Sequence, residues 1–303
     1  MSRAFRLPNY LIASLLGLFV LHMTVLPPAA VAQEKHQDFH PSASPKDDRV
    51  VYYSYRDGDP DLFLWDRTTS TEHNLTRTPS QWEIEPRWSP VDERIVFSRG
   101  PSMSGLKVTV KDLDTGEEIV IDDGVNATWS RDGSMLAYMK KNTLWVASST
   151  GGDAHEVPVD VEGLFSDPEW SPDGTELFFS HQLVEAGSSS IRAVQVETGV
   201  SRIVIPDPGA YLGSPSLSAD GSLLVVGVSE SGKRPFVRSY YTADATVATD
   251  RIGTLDGFQY FPTLAPDGEH VYVESGVWSE NLFHVYRVPL RGSGVPCRVS
   301  GKR

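Results

Sequence analysis

The stretch Asp167-Pro-Glu-Trp-Ser-Pro-Asp-Gly-Thr-Glu-Leu-Phe-Phe-Ser180 reads as a hairpin. A first strand ends at Trp170-Ser171, a tight turn follows at Pro172-Asp173-Gly174, and a second strand runs from Glu176 to Ser180. Proline presets φ at the second turn position, aspartate caps the turn through its side chain, and glycine takes the left-handed φ that other residues resist. The strand behind the turn is aromatic and apolar, the composition of a buried sheet. Moving outward, the same unit returns along the chain. Anchored on the serine before the turn, it recurs at Ser44, Ser89, Ser130, Ser171 and Ser218, and at Ala265 with alanine substituted, at spacings of 41 to 47 residues. Copies include Pro86-Arg-Trp-Ser-Pro90, Trp129-Ser-Arg-Asp-Gly133, Pro215-Ser-Leu-Ser-Ala-Asp-Gly221 and Pro262-Thr-Leu-Ala-Pro-Asp-Gly268. A period of about 40–45 residues with four strands per unit is that of a β-propeller blade. The expected fold is all-β, a six-bladed β-propeller of four-stranded antiparallel blades. The blades are expected at roughly 39–80, 81–122, 123–160, 161–207, 208–254 and 255–303.

A second element follows the turns, as Asp61-Leu-Phe-Leu-Trp-Asp66, Lys107-Val-Thr-Val-Lys-Asp112, Thr143-Leu-Trp-Val146 and Asn281-Leu-Phe-His-Val-Tyr286. Together the two elements resemble the WD40-like repeats of the TolB-like propeller family. That pattern is Pro-x-Trp-Ser-Pro-Asp-Gly, then an apolar strand, then a short Ile-Tyr-x-x-Asp strand. The resemblance covers roughly residues 39–300 and implies the fold; its motifs are structural turns and imply no activity. Full TolB carries an α/β domain ahead of its propeller, and none is read before the first repeat here, so the role of TolB in the envelope division machinery is not carried over. All six blades read as contiguous sequence. Only Gln33 to Asp38 remains to latch the ring, and a weak latch or none is expected.

Residues 1–32 read as a secretory signal peptide: Arg3 and Arg6, an apolar run from Leu11 to Leu26, then Ala30-Val31-Ala32, with Gln33 as the expected mature N-terminus. The apolar run is short for a bilayer span, so no membrane insertion is expected after cleavage, and the destination is periplasmic or secreted. The chain has 27 basic and 40 acidic residues, a net charge of −13. Such a surface repels phosphate backbones, so no nucleic acid partner is expected. Cys297 is the one cysteine, so no internal disulfide supports the fold and stability must come from packed sheet faces and ring closure. Trp88, Trp129 and Trp170, at equivalent sites, are expected to be buried between blades.

No Gly-x-Ser-x-Gly elbow, His-Glu-x-x-His, Cys-x-x-Cys or Gly-rich phosphate loop occurs. The histidines are scattered over the repeats. Asp57-Gly-Asp-Pro-Asp61 has the look of a calcium loop, but lacks the ligand number and distal carboxylate such a loop needs, and a hairpin turn explains it. Asn74-Leu-Thr76 and Asn126-Ala-Thr128 match the glycosylation triplet and are read as idle. No cofactor and no metal are expected, and no catalytic residue is assigned.

In an up-and-down blade with strands A to D, the A–B and C–D turns share one face, and the B–C and D–A connections share the other. The second group reads as the longer, and it carries Trp82, Phe165, Tyr211, Phe258, Tyr260 and Trp278. Function tends to sit on long loops held by a rigid scaffold. Glu85, Asn126, Asp167 and Ser214, just before the proline or alanine of strand A, are expected at the axial mouth. The expected activity is non-catalytic binding of a protein by a monomer, through Trp82, Glu85, Asp167, Tyr211, Tyr260 and Trp278. The alternative is a propeller-type lyase or hydrolase with an axial, metal-dependent site.

Overall fold

The computed structural model describes residues 37–183, 187–253, 255, 257–277, 282–292 and 294–300; the leader, its cleavage site and Trp278 lie outside them. Six sheets of four antiparallel strands follow one another along the chain, each built from consecutive strands. Blade one is β1 (Asp38–Ala43), β2 (Arg49–Ser54), β3 (Asp61–Asp66) and β4 (Thr71–Asn74); blade two is β5 (Trp82–Trp88), β6 (Arg94–Gly100), β7 (Lys107–Asp112) and β8 (Glu118–Asp123). Blade three is β9 (Val125–Trp129), β10 (Met135–Lys140), β11 (Thr143–Ser148) and β12 (His155–Glu156); blade four is β13 (Leu164–Trp170), β14 (Glu176–Gln182), β15 (Ser189–Gln195) and β16 (Ser201–Ile205). Blade five is β17 (Tyr211–Leu217), β18 (Leu223–Ser229), β19 (Phe236–Tyr241) and β20 (Val247–Thr249); blade six is β21 (Phe258–Leu264), β22 (His270–Val277), β23 (Leu282–Pro289) and β24 (Cys297–Arg298). Among the described residues the only helical element is a 3-10 turn at Met103–Gly105.

The repeated turn works through its side chains. Ser171 Oγ donates to Asp173 Oδ1 at 2.6 Å and accepts the Glu176 N–H at 2.9 Å, while the Thr175 N–H donates to Asp173 at 3.0 Å. The Gly174 N–H closes the turn onto the Ser171 carbonyl at 3.0 Å, with φ at 72°. Ser130 with Asp132, and Ser218 with Asp220, repeat these bonds. In blade six alanine stands at 265, and Asp267 instead takes the N–H groups of Glu269 and His270 and pairs with Arg287. Just ahead of the turn, Trp88, Trp129 and Trp170 are 5, 6 and 7% exposed. Each meets the first residue of the second strand of the preceding blade. Arg49 lies 5.0 Å over Trp88, Arg94 lies 5.0 Å over Trp129, and Met135 packs on the apolar cluster that contains Trp170. The tryptophans therefore seal blade boundaries.

All six inner strands carry a register shift at the same place, as between Phe39 and Ser42 on β1 or Ser166 and Glu169 on β13. At each shift one non-glycine residue has left-handed φ: His40, Glu85, Asn126, Asp167, Ser214 and Phe261, between 45° and 58°. Proline follows five of them and alanine the sixth. A bulge of this kind takes one N–H out of its own ladder and re-aims a side chain. Four of the six, His40, Glu85, Asn126 and Asp167, line one small cavity between the blades.

The ring closes on Asp38, which is fully buried. Arg56 donates to its Oδ1 at 2.6 Å, Ser300 donates to Oδ2 at 2.6 Å, and His284 stands 3.4 Å from Oδ2. Burial works to raise the Asp38 pKa, but the bonds from His284 and Ser300 and the Arg56 charge bring it below the usual carboxylate range. Gln37 also forms a parallel bridge with Phe283 on β23, beside the two-residue β24. A latch is thus present. It rests on one buried carboxylate rather than on a borrowed strand.

Trp129→Ala should lower unfolding free energy by about 3–5 kcal/mol, the range for a buried aromatic, whereas Cys297→Ser, at an exposed free thiol, should stay within about 0.5 kcal/mol. Urea unfolding followed by tryptophan fluorescence measures both, and equal losses would refute the assignment of Cys297 to an undemanding edge. Asp38→Ala, which strips the latch and leaves Arg56 with one carboxylate fewer, should cost about 3 kcal/mol. A loss under about 1 kcal/mol in the same experiment would show that closure rests elsewhere.

Candidate functional site

The axial belt is built by carboxylates that accept the displaced N–H of the next blade. Glu85 Oε2 accepts the Asn126 N–H at 2.9 Å, and Asp167 Oδ2 accepts the Ser214 N–H at 3.1 Å. In blade six the equivalent position is Phe261, which has no acceptor. Glu274, on the neighbouring strand β22, takes over and accepts the His40 N–H at 3.3 Å. Asn126 Nδ2 adds a bond to Asp167 Oδ1 at 3.3 Å. Two residues past each bulge runs a second tier. Ser42 accepts the Trp88 N–H at 2.9 Å, Thr128 donates to Glu169 at 3.3 Å, and Ser216 accepts the Leu264 N–H at 3.1 Å. Thr263 donates to the Pro41 carbonyl at 3.0 Å, and Trp129 Nε1 donates to the Arg87 carbonyl at 3.0 Å. All six blade boundaries are bridged at the axis by one tier or the other.

Arg87 stands in this belt and reaches Thr263, two blades away, at 2.8 Å. Between His40, Glu85, Arg87, Asn126 and Asp167 remains a cavity of about 10 Å3, room for about one water. Burial pushes Glu85 up to about 7 against the bonds from Asn126 and Ser98, with the Asp167 charge adding to the rise. Burial also raises Asp167 and Glu169, opposed by Arg87, and lifts Glu274 well above the carboxylate range. Burial and then the Arg87 charge push His40 well below its ordinary value. Burial thus makes the protonated form of these carboxyls easier to hold than in a free carboxylate, most of all at Glu274.

Aromatic side chains stand at the starts of the inner strands. Trp82, Tyr211, Phe165, Phe258 and Tyr260 are all partly exposed. Trp82 meets Tyr55 edge-on at 6.5 Å, and Tyr260 stacks on Phe258 at 6.4 Å. The Tyr211 ring folds over Gly213, where a Cβ would lie 2.7 Å from it, and its hydroxyl stands 3.5 Å from the Ser166 hydroxyl. Five of the six residues singled out from sequence, Trp82, Glu85, Asp167, Tyr211 and Tyr260, thus fall on inner strands at this end of the axis; the sixth, Trp278, is outside the described residues. His40, Phe261 and Glu274 were missed as belt members. The residue before the strand-A proline carried the signal for the first two. Glu274 has none, because it comes from a different strand.

The long B–C and D–A connections do not extend to blade three. There β10 and β11 are joined by Lys141-Asn142, and blades two and three by Gly124 alone. A Cβ at Gly124 would stand 2.7 Å from the Tyr138 ring and 2.8 Å from the Met139 carbonyl, so the chain passes too close to β10 to loop outward. The aromatics, more than loop length, distinguish this face. Beside the short turn of blade three lies a groove of about 310 Å3, lined by Asn142, Glu156, Val157, Val159, Val161, Glu162 and Phe165 among others.

The Asp57–Asp61 turn is occupied by its own blade. Asn74 Nδ2 donates to Asp61 at 2.7 Å and to Asp57 at 3.0 Å, and Thr76 donates to Asp61 at 3.1 Å. Among the described residues no three His, Cys, Asp or Glu side chains are placed to hold a metal ion, and no helix is long and apolar enough to cross a membrane.

Because the folded pKa of Glu85 lies above its ordinary value of 4.5, its contribution to stability is complete below about 4.5 and is lost as pH rises through about 7. Glu85→Gln keeps the acceptor and removes the titration. Its melting temperature should therefore gain on the wild type between about pH 5 and pH 8; an offset independent of pH, read by calorimetry, would show that Glu85 is not the buried acid described.

No family model matches this sequence, and no curated protein does. Solved structures do. TolB from Acinetobacter baumannii is similar at 17% identity and a TM-score of 0.60, over 82% of this chain and 65% of that one, so the chain spans about two thirds of its length. A structure assigned to TolB from Agrobacterium tumefaciens is similar at 17% identity and a TM-score of 0.64, over 78% of this chain and 87% of that one. An oligogalacturonate lyase in complex with manganese gives 16% identity and a TM-score of 0.55, over 84% and 90%. At such identities the likeness is one of fold, and the fold of this chain is that of a TolB-like six-bladed β-propeller.

Proposed function

We propose that the chain is an exported, non-catalytic binding module that docks a protein partner on its aromatic face. Its leader sends it to the periplasm or the medium, and it acts there as a monomer. The observation that carries the reading is the set of partly exposed aromatics, Trp82, Tyr211 and Tyr260 with Phe165 and Phe258, around the mouth of an axis closed by its own side chains. Aromatic side chains on a rigid frame bring large contact area at little entropy cost, and tryptophan and tyrosine dominate binding energy at interfaces. The acidic balance of the chain, 40 acidic against 27 basic residues, favours a partner surface bearing lysine or arginine.

An axial reaction site, the activity that the manganese-bound lyase raises by fold, would need room for a sugar and a set of ligands. An axial cavity of about 10 Å3 favours docking at the mouth over reaction inside it. The partner is to be captured from envelope extract by the wild type and named by mass spectrometry. Trp82→Ala or Tyr260→Ala should then weaken its binding at least about tenfold with the circular dichroism spectrum unchanged. Thr115→Arg, on the opposite face, should bind as the wild type does. Loss with Thr115→Arg and retention with both aromatic changes would move the interface to the other face.

A further inference from the structure

We infer that the groove between blades three and four takes an extended segment of a partner protein, apolar at alternate positions and flanked by lysine or arginine. The inference rests on the docking reading above only in placing the partner on this face; the groove is a separate contact from the axial mouth, and Phe165 borders both.

Its floor is apolar. Val157 belongs to the core cluster of Trp170 and Phe179, and Val159 and Phe165 pack against that cluster. Val157 is buried, Val159 and Val161 are partly exposed, and the three alternate with exposed Pro158, Asp160 and Glu162, so the apolar side of the segment forms the floor of the groove and its polar side the rim. The outer strand β12 ends at Glu156, and this segment runs on beyond it.

The walls are fixed before anything binds. Asn142 donates to the Gly163 carbonyl at 2.9 Å and accepts the Phe165 N–H at 3.2 Å. The His181 ring meets the Glu162 carbonyl at 2.9 Å. Asp160 accepts the Ser201 N–H at 3.1 Å, and its own N–H donates to the Gly199 carbonyl at 3.3 Å. At Gly163, with φ at 149°, a Cβ would stand 2.6 Å from the His181 ring, which is why the segment can lie so close to β14. A preformed groove lowers the ordering cost of binding.

Shape and charge specify the occupant. A volume of about 310 Å3 is at the lower end of ligand sites. Glu156 and Glu162 bracket the valines in sequence, a span of up to about 20 Å if extended, longer than a compact metabolite. Both are exposed groove residues. Lys141 is the cation next to the lining, so carboxylates outnumber it at the rim. Cations at the two ends of an apolar strand match that rim.

The probes are fluorescein-labelled nonapeptides with valine at alternate positions, flanked by two lysines or by two glutamates, titrated into the full chain by anisotropy. The lysine-flanked probe should bind at least tenfold more tightly than the glutamate-flanked one. Glu156→Gln with Glu162→Gln, and separately Val161→Glu, should weaken it at least tenfold, with circular dichroism confirming the fold of each. Asp114→Asn with Glu117→Gln, an equal charge change on the other face, should leave binding unchanged, as should Trp82→Ala. Equal affinity for the two probes, no binding up to millimolar concentration, or wild-type binding by both groove variants would overturn the inference. Loss with Trp82→Ala alone would also overturn it and leave the mouth reading standing.

Discussion

The structure depends on a strained bulge in each inner strand and, in three blades, on the backbone N–H that it displaces. At each inner-strand bulge a residue takes left-handed φ, at a cost of about 1–2 kcal/mol for a residue with a side chain, and its N–H leaves its own ladder. A buried N–H with no acceptor costs about 1–3 kcal/mol more. Both costs are offset only if something beyond the blade accepts the bond. For His40, Asn126 and Ser214 the acceptor is a carboxylate of the preceding blade. A neutral hydrogen bond contributes about 0.5–1.5 kcal/mol and spares the cost of an unpaired donor, together comparable with the strain. The inner strand therefore holds its shape because the ring is assembled, and the ring is held in part by those strands.

That coupling explains why the axis is polar where the blade interfaces are apolar. Between blades, aromatic and aliphatic side chains fill the space, with Trp88 under Arg49 and Trp129 under Arg94 as the polar-edged seals. Near the axis six strands converge and no single blade can satisfy its own bulge. Carboxylates with two acceptor oxygens can serve two blades at once, as Asp167 does for Asn126 and Ser214. Crowding them has an electrostatic consequence. With Arg87 as the cation among Glu85, Asp167 and Glu169, burial raises the pKa of all three carboxyls, Glu85 to about 7. The same arrangement that closes the axis makes its stability sensitive to rising pH.

What the sequence showed and what it hid follow from the range of the interactions. The turn at Ser171-Pro172-Asp173-Gly174 is local: its bonds span at most five residues, so its chemistry is written in the motif and repeats legibly. The tryptophans were legible for the same reason, as fixed offsets from the turn. Asp38 was not, since its partners are 18 to 262 residues away and nothing near it in sequence announces them. Glu274 was hidden by a substitution of role. Phe261 occupies the place of the acceptor, and the strand beside it supplies the missing oxygen. Repeat spacing gives the total length of a blade and not how that length divides among its connections, which is why the single residue Gly124 between blades two and three was not legible.

The division of length matters for function because six equal blades would present six equal surfaces. Symmetry is broken here at blade three, where Gly124 and Lys141-Asn142 leave little chain above the sheet. The following connection, from Val157 to Gly163, then crosses from blade three to blade four. It is tied down by Asn142 and His181 on one side and by Ser201 on the other. Its valines are anchored in the core, while its carboxylates face outward. A connection held this firmly costs side chains and close glycine packing that simple chain crossing does not require. That connection is what sets blade three apart from its neighbours at the rim.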